Sequence, residues 1–147
     1  MPTLLETRIQ NRFPVQPQHA NNNDTLHGGT LMKWLDEVGA MSAIRFAGRT
    51  CVTARVNELD FVRPIGIGDT ALVEAYVFDA GRTSVHVALR AWREDLRTGD
   101  TEPTTESTFT FVAIDETGEP VAVPELSVET EEGDQLRDRA GELGTNG

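Results

Sequence analysis

The sequence predicts an α+β domain in which a curved antiparallel sheet wraps around one long helix. Between residues 29 and 46 apolar side chains dominate with a single internal glycine, which indicates a helix about 27 Å long at 1.5 Å per residue. Strand-like segments rich in Val, Thr, Phe and Ala follow near residues 50–62, 69–79, 83–95 and 103–115. Because short turns separate these segments, neighbouring strands should be antiparallel. An apolar helix and a one-sided sheet bury their apolar surfaces against each other, which gives this fold class.

The strand predicted at residues 83–95 shows the clearest alternation along the chain. One face carries Val85, Val87, Leu89 and Ala91, and the other carries Ser84, His86, Arg90 and Trp92. A two-residue period of this kind is typical of a half-buried strand. We therefore expect the aliphatic face to point toward the core, and His86 to be structural or solvated.

Both ends of the chain complete this outline. We expect residues 3–13 to form a first strand that the following prolines end, since proline cannot donate to a sheet ladder. Residues 125–147 contain seven acids, two arginines and almost no large apolar side chain, which favours a disordered tail. At most a short helix is expected there, near residues 135–143. The predicted organisation is one domain, residues 1–124, followed by an acidic tail.

Charge and composition exclude several classes of function. The 147 residues carry a formal net charge of −11, which argues against nucleic acid and anionic membranes as partners, because both attract basic patches. The chain shows neither a signal peptide nor a run of about 20 apolar residues, so we expect a cytoplasmic protein. The single cysteine, Cys51, excludes an intramolecular disulfide and a zinc site built from several thiolates. We expect it to be a buried strand residue.

The charged residues are unevenly distributed among types. Lys33 is the only lysine, against twelve arginines and 24 acids. An acidic, lysine-poor surface stays hydrated in concentrated salt, where its self-repulsion is screened, so the composition favours a halophilic protein. The alternative is an ordinary acidic protein encoded by a genome of high G+C content. Neither interpretation points to a reaction.

The residues that best indicate chemistry lie at the start of the long helix. A polar loop ends in the pair Gly28-Gly29 and leads into the helix, which carries Asp36 about two turns in. A carboxylate on a buried helix is costly unless it is paired or functional. The glycines offer backbone N–H groups with no Cβ in the way, an arrangement that suits an acyl oxygen. Alternatively, the glycines only permit a tight helix entry, and Asp36 lies on a solvated edge beside Lys33 and Glu37.

Further motifs follow this segment in a fixed order. The chain contains His27-Gly28-Gly29, Met32, Asp36-Glu37, Asp60-Phe61-x-Arg63-Pro64, Gly68-Asp69, Gly81-Arg82-Thr83-Ser84 and Thr105-Glu106-Ser107-Thr108-Phe109-Thr110-Phe111-Val112-Ala113. Over residues 5–120 this set resembles the acyl-CoA thioesterases of the hotdog fold. The most similar branch contains the brain-type acyl-CoA hydrolase and its small bacterial and archaeal relatives. The order and spacing of the whole set make the resemblance specific, whereas a lone His-Gly-Gly would carry little weight.

The resemblance implies a catalytic site at the loop and the long helix. In this family the aspartate that matches Asp36 acts as general base or nucleophile on the thioester. Asp24 stands where relatives often have glycine, and the brain-type branch has a catalytic asparagine at the position of Thr25. On these matches we assign to catalysis Asp36, Asn21, Thr25, Gly28 and Gly29, the two glycines forming the oxyanion hole.

The resemblance also implies substrate contacts and an oligomer. In similar proteins the backbone of the Gly-Arg-Thr-Ser motif lies along the pantetheine arm of CoA, whose phosphates need cations or helix N-termini. We assign to CoA binding His27, Arg63, Arg82, Thr83 and Ser84; pairing with neighbouring acids is the alternative for the arginines. Family members bind acyl-CoA across a dimer interface, so we expect a homodimer or a trimer of dimers. No cofactor and no metal is expected.

Two other functions stay open at this point. A non-catalytic acyl-CoA-binding regulatory module would keep Arg82 and the groove but would have no need of Asp36. A hotdog hydratase usually has an Asp and a His on one loop-helix segment, and the nine-residue separation of His27 and Asp36 fits that pattern poorly. We therefore predict hydrolysis of acyl-CoA to free acid and CoA, within lipid metabolism.

Overall fold

The computed structural model describes residues 1–146, with side chains described as far as residue 143. Within that range the chain forms five strands and two α-helices. They are β1 (Ile9–Pro14), α1 (Gly28–Ala47), β2 (Cys51–Val56), β3 (Thr70–Ala80), β4 (Ser84–Glu94), β5 (Thr101–Ala113) and α2 (Glu131–Asn146). Two single-turn 3-10 helices, Leu5–Thr7 and Pro17–His19, flank β1.

All five strands join one antiparallel sheet in the order β1-β3-β4-β5-β2, so β1 and β2 are its edges. α1 contacts every strand of this sheet. The side chains that it covers include Val77, Val87 and Phe109, which pair in register across the three central strands and are at most 1% exposed. The predicted α+β fold, with a curved sheet around one long helix, is therefore confirmed.

α1 confirms the predicted helix and extends it by one residue at each end. His27 is the N-cap residue, and its Nδ1 accepts the Gly29 N–H at 3.0 Å. At the other end Gly48 takes the left-handed conformation, with φ of 68°, and its N–H donates back to the last turn. Midway, a Cβ on Gly39 would lie 3.1 Å from the Phe111 ring, so this glycine lets α1 approach β5 closely.

The first strand is shorter than predicted, because a 3-10 turn replaces its beginning. Thr7 lies in that turn, and its buried hydroxyl donates to Leu4 O at 2.7 Å and accepts the Val77 N–H at 2.9 Å. The carbonyl of Thr7 accepts the Ser42 hydroxyl of α1 at 2.8 Å. The regular ladder therefore begins at Ile9, after the turn has been tied to both the sheet and the helix.

The strand after α1 is also shorter than predicted and ends at Val56. Beyond it the chain leaves the sheet and continues as a loop, with the Val62 N–H bonded to Thr104 O of β5 at 2.9 Å. This loop reaches the beginning of the long helix, since a Cβ on Gly28 would lie 3.6 Å from the Phe61 ring. It thereby helps to form the cavity described below.

The alternation predicted for β4 is confirmed. The side chains of its aliphatic face are at most 1% exposed: Val85, Val87, Leu89 and Ala91. On the opposite face Ser84, His86, Arg90 and Trp92 are partly exposed, and the Arg90 guanidinium lies 4.5 Å from the centre of the Trp92 ring. β4 thus divides the core under α1 from an outer face of the sheet.

The C-terminal tail is the main correction to the predicted fold, because it forms α2 on this outer face rather than a disordered segment. Ala140 is fully buried in a small cluster with Tyr76. The Tyr76 hydroxyl donates to Leu136 O at 2.8 Å, and Arg139 forms an ion pair with Glu106 of β5. Burial, together with the charge of a neighbouring carboxylate, raises the pKa of the Tyr76 phenol to about 12. Residue 147 lies outside the described range, and the division at residue 124 stays a prediction.

The sequence signal for α2 is weak because its apolar face is small. Its larger apolar side chains are Leu136 and Leu143, with Ala140 between them at spacings of four and three. A capping hydrogen bond, from the Gly133 N–H to Thr130 Oγ1 at 2.9 Å, marks the start of this helix. Neither described helix is long and apolar enough to cross a membrane.

Candidate active site

The polar loop before α1 is organised around the side chain of Asn21. Asn21 Oδ1 accepts three hydrogen bonds, from the Asn23 N–H, the Thr25 N–H and the Thr25 hydroxyl, at 2.9, 3.2 and 3.1 Å. Asp24, between them, has φ of 59°, in the left-handed region that glycine adopts most easily. That conformation accounts for glycine being common at this position in the family that the sequence resembles. The structure therefore brings Asn21 and Thr25 together, as predicted site residues, immediately before the helix.

The two glycines at the helix start are not equivalent. The Gly29 N–H donates to His27 Nδ1 and is therefore already occupied. The Gly28 N–H, in contrast, donates to no group in the described part of the chain. It lies at the positive end of the helix dipole, where an oxygen with partial negative charge is stabilised. One of the two N–H groups predicted for an oxyanion hole is thus available in this conformation.

Asp36 faces the sheet edge rather than its charged neighbours on α1. Its Oδ1 accepts the hydroxyl hydrogen of Thr53, on β2, at 2.5 Å. The residues predicted to share a solvated edge, Lys33 and Glu37, pair with each other at 3.9 Å and leave Asp36 out. Asp36 is half-buried. The hydrogen bond fixes one carboxylate oxygen, while the other accepts no hydrogen bond in residues 1–146.

Thr53 is a site residue that the sequence analysis missed. It is one of two polar, exposed residues on an edge strand, with Arg55, and nothing in its local pattern distinguishes it. Only the packing of α1 beside β2 brings its hydroxyl to a residue 17 positions earlier in the chain. A hydroxyl in that position orients the carboxylate through a charge-assisted hydrogen bond.

A cavity of about 290 Å³ opens beside the start of α1. Residues from the polar loop, the helix, the loop after β2 and the strand β5 line it: Thr25, Leu26, Gly28, Leu31, Phe61, Arg63, Pro64, Ile65 and Thr104. Most of this wall is apolar. The available Gly28 N–H therefore lies next to a space that suits the hydrocarbon part of a small ligand.

The residues predicted to bind CoA do not lie together in one chain. Arg63, beside the cavity, pairs with Glu102 at 3.4 Å and donates to Pro103 O at 3.1 Å. Ser84 instead pairs with Val112, at the other end of β5. Arg82 and Thr83 immediately precede Ser84, and Arg82 is exposed with no acidic partner in the described residues. His27 lies with Gly28 at the helix start.

The residues assigned to catalysis also lie in two separate places. Gly28 and Asp36 are eight residues apart on α1, which is about 12 Å along the helix axis. Groups that act directly on one carbonyl must each lie within roughly 3.5 Å of it. Thr53 pairs with Phe111, next to the row that holds Ser84, so Asp36 and the Gly-Arg-Thr-Ser motif share one end of the sheet. The residues assigned to the site from the sequence therefore lie in two separate groups on each chain.

The comparisons with known proteins bear on this arrangement. Residues 23–99 match the family model of the thioesterase superfamily. The chain is also 39% identical, over 92% of its own length and 78% of the other, to an uncharacterized acyl-CoA thioester hydrolase of Bacillus subtilis, YkhA. The chain belongs to the thioesterase superfamily. It is a thioester hydrolase with the hotdog fold, as the sequence motifs predicted.

Solved structures of other thioesterase superfamily members agree with this assignment. An acyl-CoA hydrolase from Staphylococcus aureus, solved with butyryl coenzyme A, coenzyme A and coenzyme A disulfide, is 32% identical with a TM-score of 0.89, covering 98% of this chain and 88% of that one. A hexameric acyl-CoA thioesterase solved without ligand is 33% identical with a TM-score of 0.88, covering 99% of this chain and 95% of that one. The regulatory-module alternative therefore gives way to a hydrolase.

Three further structures of the Staphylococcus aureus hydrolase carry single substitutions to alanine. The substituted residues are an asparagine, an aspartate and a threonine. In that chain the aspartate follows the asparagine by 15 positions, and the threonine follows the aspartate by 17.

Proposed function

We propose that this chain hydrolyses acyl-CoA at sites shared between two copies, with Asp36 as general base or nucleophile and the Gly28 N–H as oxyanion donor. The observation that carries the proposal is the 2.5 Å hydrogen bond from Thr53 to Asp36, which holds a half-buried carboxylate that has no cation beside it among the described residues. A carboxylate placed in this way is better explained by chemistry than by stability, because no ion pair offsets its partial burial.

Residue spacing gives independent support. Asn21, Asp36 and Thr53 are separated by 15 and 17 positions, the intervals found between the three residues substituted in the Staphylococcus aureus hydrolase. Of these three residues, Thr53 and Asp36 are joined by a hydrogen bond between β2 and α1, and Asn21 bonds to Thr25 in the loop before the helix. We therefore add Thr53 to the proposed site as the residue that positions Asp36.

The proposed reaction begins when the thioester carbonyl oxygen accepts the Gly28 N–H. In the base mechanism, Asp36 takes a proton from a water molecule as that water attacks the carbonyl carbon, and the negative charge on the oxygen is stabilised by the N–H and the helix dipole. The carbon–sulfur bond then breaks, and the CoA thiolate receives the proton from Asp36. In the nucleophile mechanism, the carboxylate attacks the carbon itself, the carbon–sulfur bond breaks to release CoA as the thiolate, and water then hydrolyses the mixed anhydride to the free acid and the Asp36 carboxylate. Both routes proceed without a metal or cofactor.

The separation of the two half-sites supports a dimer. β2 is an edge strand, so its outer side has unpaired backbone groups that suit pairing with a second copy. Its Val52 and Val56 side chains, 43% and 41% exposed, suit the same contact. A two-fold axis at this edge would set the strands antiparallel and bring the Gly28 end of one copy toward the Asp36 end of its partner. We propose a homodimer or a trimer of dimers; the second agrees in subunit number with two solved relatives that are hexameric.

The CoA contacts proposed from the sequence follow from the same arrangement. Arg82 is exposed and lacks an acidic partner in the described residues although the chain carries 24 acids, which leaves its guanidinium free for a phosphate. Thr83 and Ser84 follow it at the start of β4, where the pantetheine arm would lie. His27 and Arg63 belong to the other half-site. A cytoplasmic location stays a prediction from the sequence.

Free-thiol release from acyl-CoAs of increasing chain length tests the proposal, with binding followed separately by calorimetry. We expect thiol release that depends on Asp36, and the series of substrates gives the preferred acyl length. Thiol release that survives removal of the Asp36 carboxylate would contradict the assigned site while leaving the family assignment intact.

Cys51 should not contribute to the signal in that assay. Its side chain is 8% exposed, and burial raises the pKa of its thiol to about 11, so only about a thousandth is thiolate near pH 8. We expect a chromogenic thiol reagent to label the folded enzyme very slowly, and to titrate one thiol per chain in denaturant. Fast, complete labelling of the folded protein would show that the start of β2 opens readily.

We also propose that the protein is adapted to concentrated salt. The support is compositional: a net charge of −11 with a single lysine. We expect the melting temperature to rise by many degrees between low and molar NaCl, since salt screens repulsion among the acids. Sucrose at equal osmolality serves as the control, because it stabilises without screening. A melting temperature independent of salt would favour the ordinary acidic protein.

A further inference from the structure

The cavity beside α1 contains one polar group that the proposed mechanism does not use. Thr104, on β5, is 1% exposed and forms part of the cavity wall. Its Oγ1 is buried and has no hydrogen-bond partner in the described residues. The adjacent Thr105 hydroxyl, in contrast, donates to Asp60 O at 2.6 Å. Because a buried hydroxyl without a partner is costly and infrequent, the Thr104 hydroxyl is a candidate to meet a ligand.

The other polar side chains of the cavity wall already have partners. The Thr25 hydroxyl donates to Asn21, and the Arg63 guanidinium contacts Glu102 and Pro103. The Gly28 N–H is proposed to hold the thioester oxygen. Among the polar side chains of the cavity wall, the Thr104 hydroxyl is therefore the one that remains to recognise a second polar atom of a bound molecule.

The shape of the cavity indicates which part of the substrate enters it. Leu31 and Ile65, in its wall, are 2% and 1% exposed and belong to the hydrophobic core, so the cavity adjoins the core. The nucleotide of CoA is too large and too charged for such a place, whereas the acyl chain is apolar and ends freely. A volume of about 290 Å³ is at the small end of ligand pockets, which suits a short acyl group.

We propose, on the basis of the proposed function, that this cavity receives the acyl group and that Thr104 Oγ1 hydrogen-bonds a hydroxyl or keto oxygen carried by that chain. A hydroxy- or oxo-acyl group satisfies the buried hydroxyl of Thr104. A plain alkyl chain of the same length fills the space but leaves this hydroxyl without a partner. Thr104 is thus a specificity-determining residue that favours oxygen-substituted short acyl-CoAs.

Paired substrates and two variants of Thr104 test this inference. The substrates are 2- and 3-hydroxybutyryl-CoA and acetoacetyl-CoA against butyryl-CoA, and 3-hydroxyhexanoyl-CoA against hexanoyl-CoA. For the wild type we expect kcat/KM about five- to tenfold higher with at least one substituted acyl-CoA than with its unsubstituted partner. Thr104→Val, which keeps the side-chain shape, should bring that ratio to about one. Thr104→Ser, which keeps the hydroxyl, should retain the ratio.

The outcomes separate this inference from the proposed function. A wild type that hydrolyses substituted and plain acyl-CoAs equally would overturn the role of Thr104 and leave the proposed mechanism intact. An equal loss on all substrates in Thr104→Val would also overturn it, because a structural role changes activity without changing the ratio. If the wild type hydrolysed none of these thioesters, the proposed function would fail and this inference with it.

Discussion

Asp36→Asn is expected to abolish acyl-CoA hydrolysis while leaving assembly and CoA binding intact. Asparagine keeps the shape of the side chain and an oxygen that can accept the Thr53 hydrogen bond, now 2.5 Å long. It removes the charge that takes a proton from water or attacks the carbonyl carbon. Loss of a general base lowers kcat by about 10²- to 10⁴-fold, and loss of a nucleophile lowers it at least as much.

The measurement is kcat by thiol release, beside calorimetry with CoA and the oligomeric state by size-exclusion chromatography with light scattering. The matched control is Glu37→Gln, which removes the next carboxylate on the same helix. Glu37 is exposed and pairs with Lys33 at 3.9 Å, so its loss should leave kcat within about twofold, as for most exposed pairs. Near-native turnover in Asp36→Asn, or an equal loss in Glu37→Gln, would contradict the assignment of Asp36.

The dominance of apolar residues was sufficient to predict the central helix, and alternation was sufficient to predict β4. Both signals are visible in a single sequence, because α1 is largely apolar and β4 buries one aliphatic face. The ends of the two edge strands were harder to predict. Val56 is followed by residues that look strand-like, yet the chain leaves the sheet there to cross toward the start of α1.

The C-terminal helix escaped prediction for a different reason. Its contact with the sheet depends on a small residue, Ala140, and on polar partners distant in sequence, such as Tyr76 for Leu136 O and Glu106 for Arg139. The composition of this segment shows many acids and almost no large apolar side chains. Neither of those polar contacts can be seen until the fold places β3 and β5 beneath the helix.

The candidate site was predictable in its residue types but not in its hydrogen bonds. The motif places Gly28 and Gly29 together, whereas the structure shows that His27 Nδ1 occupies one of the two N–H groups. Likewise the sequence singles out Asp36 but gives no reason to choose Thr53 among the polar residues of β2. Both details depend on side-chain geometry between elements, which a one-dimensional pattern does not contain.

Gly28→Pro and Asp36→Asn are each expected to be inactive, and to restore activity when the two variant chains are co-expressed. Gly28→Pro removes the proposed oxyanion donor, and should lower kcat by about 10²- to 10³-fold. Proline is well tolerated at the first position of a helix, and His27 before it already has the extended conformation that proline requires, with φ of −63° and ψ of 131°. Gly28→Ala is the matched control: it keeps the N–H, and its Cβ would lie at an ordinary 3.6 Å from Phe61.

Co-expression of Gly28→Pro with Asp36→Asn then distinguishes a shared site from one within a single chain. If each site takes Gly28 from one copy and Asp36 from its partner, every mixed dimer has one intact site and one doubly defective site. Random pairing makes half of the dimers mixed, so we expect about a quarter of the wild-type activity. If each site lay within one chain, no combination would contain an intact site, and the mixture would stay as inactive as its components. Because the two groups lie about 12 Å apart along α1, recovery is the result that the geometry of one chain requires.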